Sequence, residues 1–511
     1  MYNTTRSFFV VAGITLFSYG LSFINQLMYS RYFGTSASLD AVYIAQTCIT
    51  MLSFYIGPFK DVCLPHAYHL HGSDPEAGNR YFSAIMNFVL LLLIFSFSLA
   101  FFFPDFNAHL VLNRNDGQIY NKTTCYIRIL SPLIIISNVA GMLGFSLASY
   151  NKIIFQNLGR FVGVSVSIII LFLFAERLKV RAILLSMIAT EGILFLIQAV
   201  EFFKIPLKYR PWTLPKVEFA SLKKILGMLS VFIFSQVYII YERRVFSQFG
   251  PGIISAYQYG KNLFAIPESI LITTAVSALW PRMLENSKKA SPESLSVLVL
   301  RSCCIMTTVL TVIASILFFN AREIIYFLYF RGAFDQVSLQ NTTIALKCLS
   351  FALVPYALSM IIGRIFYSLM KIRFAMVVGV VTTFSGLLTL FLADLLNNKT
   401  LSYCHYLGMA TGSAAICVVG FVKYTHPVSL SAAMRALFWM IRLTLPVLAA
   451  GYAISKIDFH TTDKLITALS LVLKGGLTVI VSVVFLYCVR IINNDHIKTA
   501  LSTARSIYKK P

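Results

Sequence analysis

Apolar stretches recur along nearly the whole chain, separated by short loops that hold most of its charge. About twenty such residues in a helix match the hydrocarbon thickness of a bilayer. In that solvent every backbone N–H and C=O must be satisfied within its own helix or a closed barrel. Repeated windows of this length therefore dictate a bundle of membrane-spanning helices. We place about fourteen of them, on the ~20-residue criterion, at 7–31, 41–65, 82–103, 123–149, 153–175, 180–203, 222–246, 252–280, 294–319, 340–368, 373–394, 403–424, 436–454 and 466–490. The chain is 58% hydrophobic and 12% charged, and its mean hydropathy is +0.76. A soluble protein of this size carries about twice that charged fraction. The fold class is all-α and polytopic.

The net charge of +23 is spread through short loops and gathers in no single patch, so a nucleic-acid partner is not expected. Cytoplasmic loops of membrane proteins collect Lys and Arg, and roughly 20 basic residues fall inward against about a dozen outward when both termini are cytoplasmic. The inward set includes Lys204–Lys224, Arg282–Lys289, Lys371–Arg373, Lys423–Arg435 and the tail ending at Lys509 and Lys510. Arg177, Lys179 and Arg181 run against it locally. The apolar run from Phe8 continues past Asn25 without a cleavage-type site, so it reads as a retained first span and not a signal peptide. The nine cysteines show no CxxC spacing and indicate neither a zinc site nor a disulfide framework. His66, His69 and His71 lack the carboxylates or thiols that would complete a metal shell, so no metal and no cofactor is expected. No phosphate loop, HExxH or G-x-S-x-G elbow is present. The chain does not read as an enzyme.

An internal repeat organises the spans. Ser131, Gly144, Ser149, Lys152 and Phe155 recur 219 residues later as Ser350, Gly363, Ser368, Lys371 and Phe374. Phe33-Gly34 and Ala41 recur as Phe249-Gly250 and Ala256 at offsets of 216 and 215. The repeat separates spans 1–6 from spans 7–12, an even number of crossings, so the halves are parallel and a substrate site is expected at their interface. This predicts two six-helix lobes, 1–215 and 216–428, followed by two additional helices and a cytoplasmic tail at 429–511. It is transporter architecture.

Ionisable side chains at membrane depth are costly and tend to face a bundle interior or a wet cavity. The stretch Gly252–Pro281 carries Lys261 and Glu268, seven residues apart, so both project from one face roughly 10 Å apart along the axis. Pro267 between them frees a backbone carbonyl, which is tolerated where neighbours or water satisfy it. A buried pair that only holds the bundle together is the competing reading. Arg364 and Lys347 either line the same cavity or snorkel towards headgroups. Arg160 and Glu191 lie at similar depth on neighbouring spans and are expected to pair. Arg243 and Arg244 read as interfacial anchors. Arg331 and Gly332 are expected to fix a loop.

Several motifs fall in a familiar order. FLYFRGAFDQVSLQ, with Arg331-Gly332-Ala333-Phe334-Asp335, resembles the RGAF loop of the MurJ/MviN family of bacterial lipid flippases. RIFYSLMKIRFAMVV, Arg364 to Val378, is similar to that family's FYALGDTRTPV stretch. Asp40-Ala41 matches its Asp-Ala, and Tyr259, Leu263 and Pro267 fit its Y-A-D-R-L-x-x-x-P pattern. The resemblance runs the whole length, two helices after the repeat included. It implies flipping of an undecaprenyl-diphosphate-linked saccharide, above all lipid II, by alternating access of two lobes in the bacterial inner membrane. It also implies a groove for the polyprenyl tail on the last two spans. Positions where the family carries arginines in the first span are Tyr19 and Asn25 here, its following acidic residue is Gln26, and its Asp-Arg pair is Lys261-Asn262. No carboxylate lies between Met376 and Leu392, where the family's sodium site would need one.

The expected substrate-cavity residues are thus Lys261, Glu268, Asn25, Gln26, Arg364 and Lys347. Asp40, Pro267, Arg331, Gly332, Arg160 and Glu191 are the expected structural or gating set. The expected partners are a lipid-linked saccharide and membrane lipids, with the chain a monomer. An O-antigen or exopolysaccharide unit is the alternative cargo. A small-molecule/cation antiporter and a non-transporting scaffold are the alternative functions.

Overall fold

The computed structural model describes residues 2–112, 117–214, 217, 219–288, 292–424, 430–457 and 464–488. The expected tail with Lys509 and Lys510 lies outside them. The described elements are helices: α1 (Tyr2–Phe33), α2 (Ala37–Met51), α3 (Ile56–Ser73), α4 (Pro75–Phe102), α5 (Pro104–Val111), α6 (Gly117–Leu130), α7 (Pro132–Ser149), α8 (Ile154–Leu178), α9 (Arg181–Phe202), α10 (Phe219–Gln248) and α11 (Ile253–Pro267). A π-helical turn, Glu268–Thr273, leads into α12 (Thr274–Lys288), α13 (Pro292–Phe319), α14 (Ala321–Tyr329), α15 (Gln336–Ser368), α16 (Ile372–Leu395), α17 (Lys399–Tyr403), α18 (His405–Tyr424), α19 (Leu430–Ser455) and α20 (Lys464–Cys488). Among the described residues there is no strand.

Among the described residues, eleven helices are long and apolar enough to cross a membrane, and the pair α2–α3 adds a twelfth if taken as one span. Fourteen were expected; the windows at 7–31 and 436–454 fall on α1 and α19, and α19 supplies only a shorter apolar stretch, Thr444–Ser455. Two expected spans are broken. The window at 41–65 bends by 43° between α2 and α3, because the Pro58 ring would clash with the carbonyl of Phe54 in a continuous helix. The window at 123–149 divides at Pro132, the first residue of α7, where the missing N–H suits a helix start. Large apolar side chains such as Phe95, Phe172, Phe384 and Val472 stand exposed, as they can when the surrounding solvent is lipid.

The repeat is written into the backbone. Left-handed residues occur at Asn151 and Met370, 219 apart, at Lys179 and Asn397, 218 apart, and at Gly34 and Gly250, 216 apart. The helix ends match too: Lys152 N donates to Leu147 O (2.9 Å), and Lys371 N donates to Phe366 O (2.7 Å). These bonds satisfy carbonyls left open at the C-terminal ends of α7 and α15.

The chain forms two compact units. The first holds residues 1–259, 329–341 and 390–402; the second holds 260–328, 342–389 and 403–511. In the first, α8 packs along α9 and α1, α7 along α9, α2 against α6, and α3 against α4. In the second, α13, α19 and α20 pack on one another. Without a hydrophobic drive between helices in lipid, small residues allow the close approach that packing needs. Gly159 and Gly163 on α8 do so against α9: a Cβ at Gly163 would sit 2.7 Å from the Thr190 carbonyl, and one at Gly159 2.9 Å from Leu194 Cδ1. In the second half the helices exchange roles, and Gly408 and Gly412 of α18 meet Thr389 and Ser385 of α16. Replacing Gly163 by Val should destabilise the protein by about 1–3 kcal/mol through overpacking. Thermal unfolding in detergent should then drop by several degrees, while Gly192→Ala, which meets nothing within 4 Å, should leave the midpoint in place.

Candidate functional site

Asp40, one of the expected gating residues, opens α2 and is 1% exposed. Its Oδ2 accepts the Gly252 N–H at 2.6 Å and its Oδ1 accepts the Ser255 N–H at 2.7 Å. Gly252 and Ser255 stand at the start of α11, where the first turn leaves N–H groups without intrahelical partners. A carboxylate at that end also meets the positive pole of the helix. Asp40 thus caps a helix more than 200 residues away. Gly252 makes this possible with φ +86 and a backbone so near Thr35 that a Cβ would lie 2.8 Å from the Thr35 carbonyl.

The RGAF loop closes on the same place. Ala333 N donates to Arg31 O at 2.8 Å, and Thr35 and Ser338 share a 2.6 Å hydroxyl contact. A side chain at Gly34 would collide with the Ala333 carbonyl, and one at Gly332 with that of Arg31. Gly332 is left-handed, φ +58, and Arg331 is exposed beside it. Tyr259 donates to Gly34 O at 3.1 Å, and its ring packs on Tyr329 (5.0 Å) and Phe334 (5.7 Å). Three loops, 34–36, 249–252 and 331–335, are therefore locked by backbone contacts over one buried aromatic cluster.

Arg243 extends this network, which the sequence did not reveal. Expected as an anchor, it is half-buried, its Nε donates to Thr47 Oγ1 at 3.2 Å, and its Nη1 lies 3.6 Å from Glu242 Oε1. At 3.6 Å this contact is electrostatic and not a hydrogen bond. The doubled Arg243-Arg244 was the one signal available.

Asn25 and Gln26 line a cavity of about 350 Å³ within the first unit, together with Tyr43, Ser137, Ser167 and Glu191. Glu191 shares this cavity instead of a contact ion pair: Arg160 is exposed and acts on it from farther away. In the second unit, Lys261 and Glu268 are both half-buried, and Pro267 ends α11 at the start of the π-helical turn. Such turns recur at functional sites. Glu268 acts on the hydroxyls of Tyr356 and Tyr406. Lys347 lies over the Phe318 ring (5.6 Å) and the exposed Arg364 over Trp280 (5.7 Å). Lys474 of α20, 3% exposed, pairs with Glu323 at 3.0 Å. His71 meets the Tyr150 hydroxyl at 3.1 Å, and no group of three metal-ligating side chains occurs among the described residues.

Residues 29–474 match the family described as Lipid II flippase MurJ. The chain belongs to the MurJ family. A probable lipid II flippase MurJ of Buchnera aphidicola subsp. Schizaphis graminum is 23% identical over 440 residues, 82% of each chain. A MurJ structure in an inward closed conformation superimposes with a TM-score of 0.71, at 18% identity, over 94% of this chain and 99% of that one. An inward-facing multidrug-resistance MATE transporter of the MOP superfamily follows at 0.63 and 14% identity, over 84% and 98%. These likenesses establish the fold: an all-helical, multi-pass membrane protein of MurJ type.

Two outcomes test the junction. Asp40→Ala strands two buried N–H groups at about 1–3 kcal/mol each, so its unfolding midpoint should fall well below that of Asp40→Asn, which keeps an acceptor. Asp335, in the loop before α15, accepts from Ser338 (backbone N–H 2.8 Å), and these Ser338 bonds hold its carboxyl below the usual range. Its folded pKa is depressed, so its contribution is present above the ordinary aspartate value near pH ~3.9 and fades as pH falls through the lower folded value. Asp335→Asn should lower the unfolding midpoint at neutral pH towards its acid value and so flatten the acid limb of the stability profile, as read by unfolding midpoints from pH 7 downward.

Proposed function

We propose that this chain is a flippase for lipid II in the bacterial inner membrane, working by alternating access. The observation that carries the reading is family membership over residues 29–474. The chemistry of the cargo fits the charges available. A diphosphate needs cations, and Lys261, Lys347 and Arg364 supply them in a chain segment that also carries the proline-ended helix and the π-helical turn. The lobes are 1–215 and 216–428, with 429–511 appended to hold the polyprenyl tail. The chain acts as a monomer, without catalytic chemistry or a cofactor.

With both termini cytoplasmic, the loops at 34–36, 249–252 and 331–335 fall at the outer face. The Asp40 junction is then the outer gate in its closed state, and export requires Gly252 and Ser255 to leave the Asp40 carboxylate. Water reaching the freed groups lowers the cost of opening. Tyr19 and Asn25 in place of the family's arginines favour one second reading, a different polyprenyl-diphosphate saccharide as cargo.

A tester bacterium depleted of its own lipid II flippase distinguishes the cargoes. Expression of this chain should restore growth and lipid II exposure on the outer leaflet. Lys261→Ala with Arg364→Ala should remove most of that exposure at equal membrane abundance. Verified expression without restored exposure would exclude lipid II and direct the search to the sugar lipid that accumulates when the gene is removed from its own host.

A further inference from the structure

Two thiols outside the sites described above stand in contact. Cys348 of α15 and Cys404, the residue between α17 and α18, are free cysteines whose side chains share a hydrogen bond. They lie far apart in the chain, and no spacing motif announces them. The packing around them does not depend on these two sulfurs. The Tyr406 ring meets that of Tyr356 at 5.9 Å, and Cys417 Sγ donates to Ser359 O at 3.7 Å. Partners thus advance in the same order along α15 and α18. On the preceding α17, Lys399 Nζ donates at 3.0 Å to Oδ1 of Asn341 on α15, and Asn341 is 6% exposed.

Exposure divides the pair: Cys348 is buried, whereas Cys404 is half-buried and within reach of a reagent. A structural zinc centre takes four ligands, and among the described residues no group of three metal-ligating side chains includes them. Thiols in contact sit on backbones close to the spacing that a disulfide bridges. With both termini cytoplasmic, the connection 396–404 lies on the same outer face as the loop 331–335 that leads into α15. That face meets an oxidising compartment in bacteria with a periplasm.

We propose that Cys348 and Cys404 are a redox modification site, forming a reversible disulfide that fastens the α17–α18 turn to α15. The oxidant is an external disulfide. Cys404, the more exposed, loses its proton and attacks one sulfur of that reagent, which releases its other half as a thiolate. Cys348 then loses its proton and attacks the Cys404 sulfur, releasing the second half. The two protein thiols give up two electrons and two protons, and the external disulfide becomes two thiols. The thiol chemistry stands apart from the cargo; only its access to an oxidising compartment rests on the orientation proposed above.

The test uses the purified full-length chain in lipid nanodiscs, freed of reductant and treated with oxidised glutathione. Remaining thiols are alkylated, and the digest is read by mass spectrometry. A Cys348–Cys404 cross-linked peptide should appear and should disappear with dithiothreitol, while the buried Cys303 and Cys417 are recovered alkylated only after denaturation. Cross-links restrict the unfolded chain, so the oxidised protein should unfold several degrees above the reduced one. Cys404→Ser should unfold at one temperature in both conditions; if it does not fold, Cys348→Ala should show the same loss. Recovery of Cys404 only as a free thiol or a glutathione adduct would overturn the proposal. So would a cross-link that leaves the midpoint in place. In cells, alkylation before lysis should trap the same cross-link. A chain oxidised in nanodiscs but reduced in cells would keep the thiol pair and overturn the outward placement, whatever the depletion rescue shows of the cargo.

Discussion

A single buried carboxylate fastens the two ends of the repeat to each other. Asp40 takes both open N–H groups at the start of α11, and nothing apolar could substitute, because a helix end away from water must find acceptors. Around it, the contact surfaces are backbone. Gly34, Gly252 and Gly332 bring carbonyls and N–H groups of three loops within reach of one another. The junction's hydrogen bonds, two to the Asp40 carboxylate and one from Ala333 N to Arg31 O, are directional and short-ranged.

The same physical demand appears in each half with different residues. The loops after α7 and α15 turn through left-handed Asn151 and Met370 with the same closing bond, although asparagine tolerates that conformation better than methionine. Between the paired helices, the first half places its glycines on α8 and the second on α18. Only the distance of approach is repeated, not the helix that yields it. Duplicated architecture therefore survives where the sequence match has faded.

How much was readable follows from the kind of signal. Pro267 stood out because a proline inside an apolar helix has few physical reasons to be there, whereas Asp40 and Gly332 stood out through their likeness to motifs of a known family. The breaks at Pro58 and Pro132 were missed since hydropathy windows average over a proline. Arg243 read as an anchor because its span position was visible and its neighbours Thr47 and Glu242 were not. Arg160 and Glu191 were expected to pair from equal depth alone. Depth does not fix rotation about a helix axis, and the fold turns Arg160 outward and Glu191 towards a cavity.

By itself the sequence determined the membrane environment, the helical class, the repeat and the family likeness. Each of these depends on composition and spacing along the chain, and one-dimensional order preserves both. Tertiary structure decided which helix end Asp40 caps, which loops meet through their glycines, and which side chains line the first unit's cavity. Those are contacts between residues hundreds of positions apart, made by backbone groups that every residue carries alike. No residue's identity announces its partner, so only the folded chain could name it.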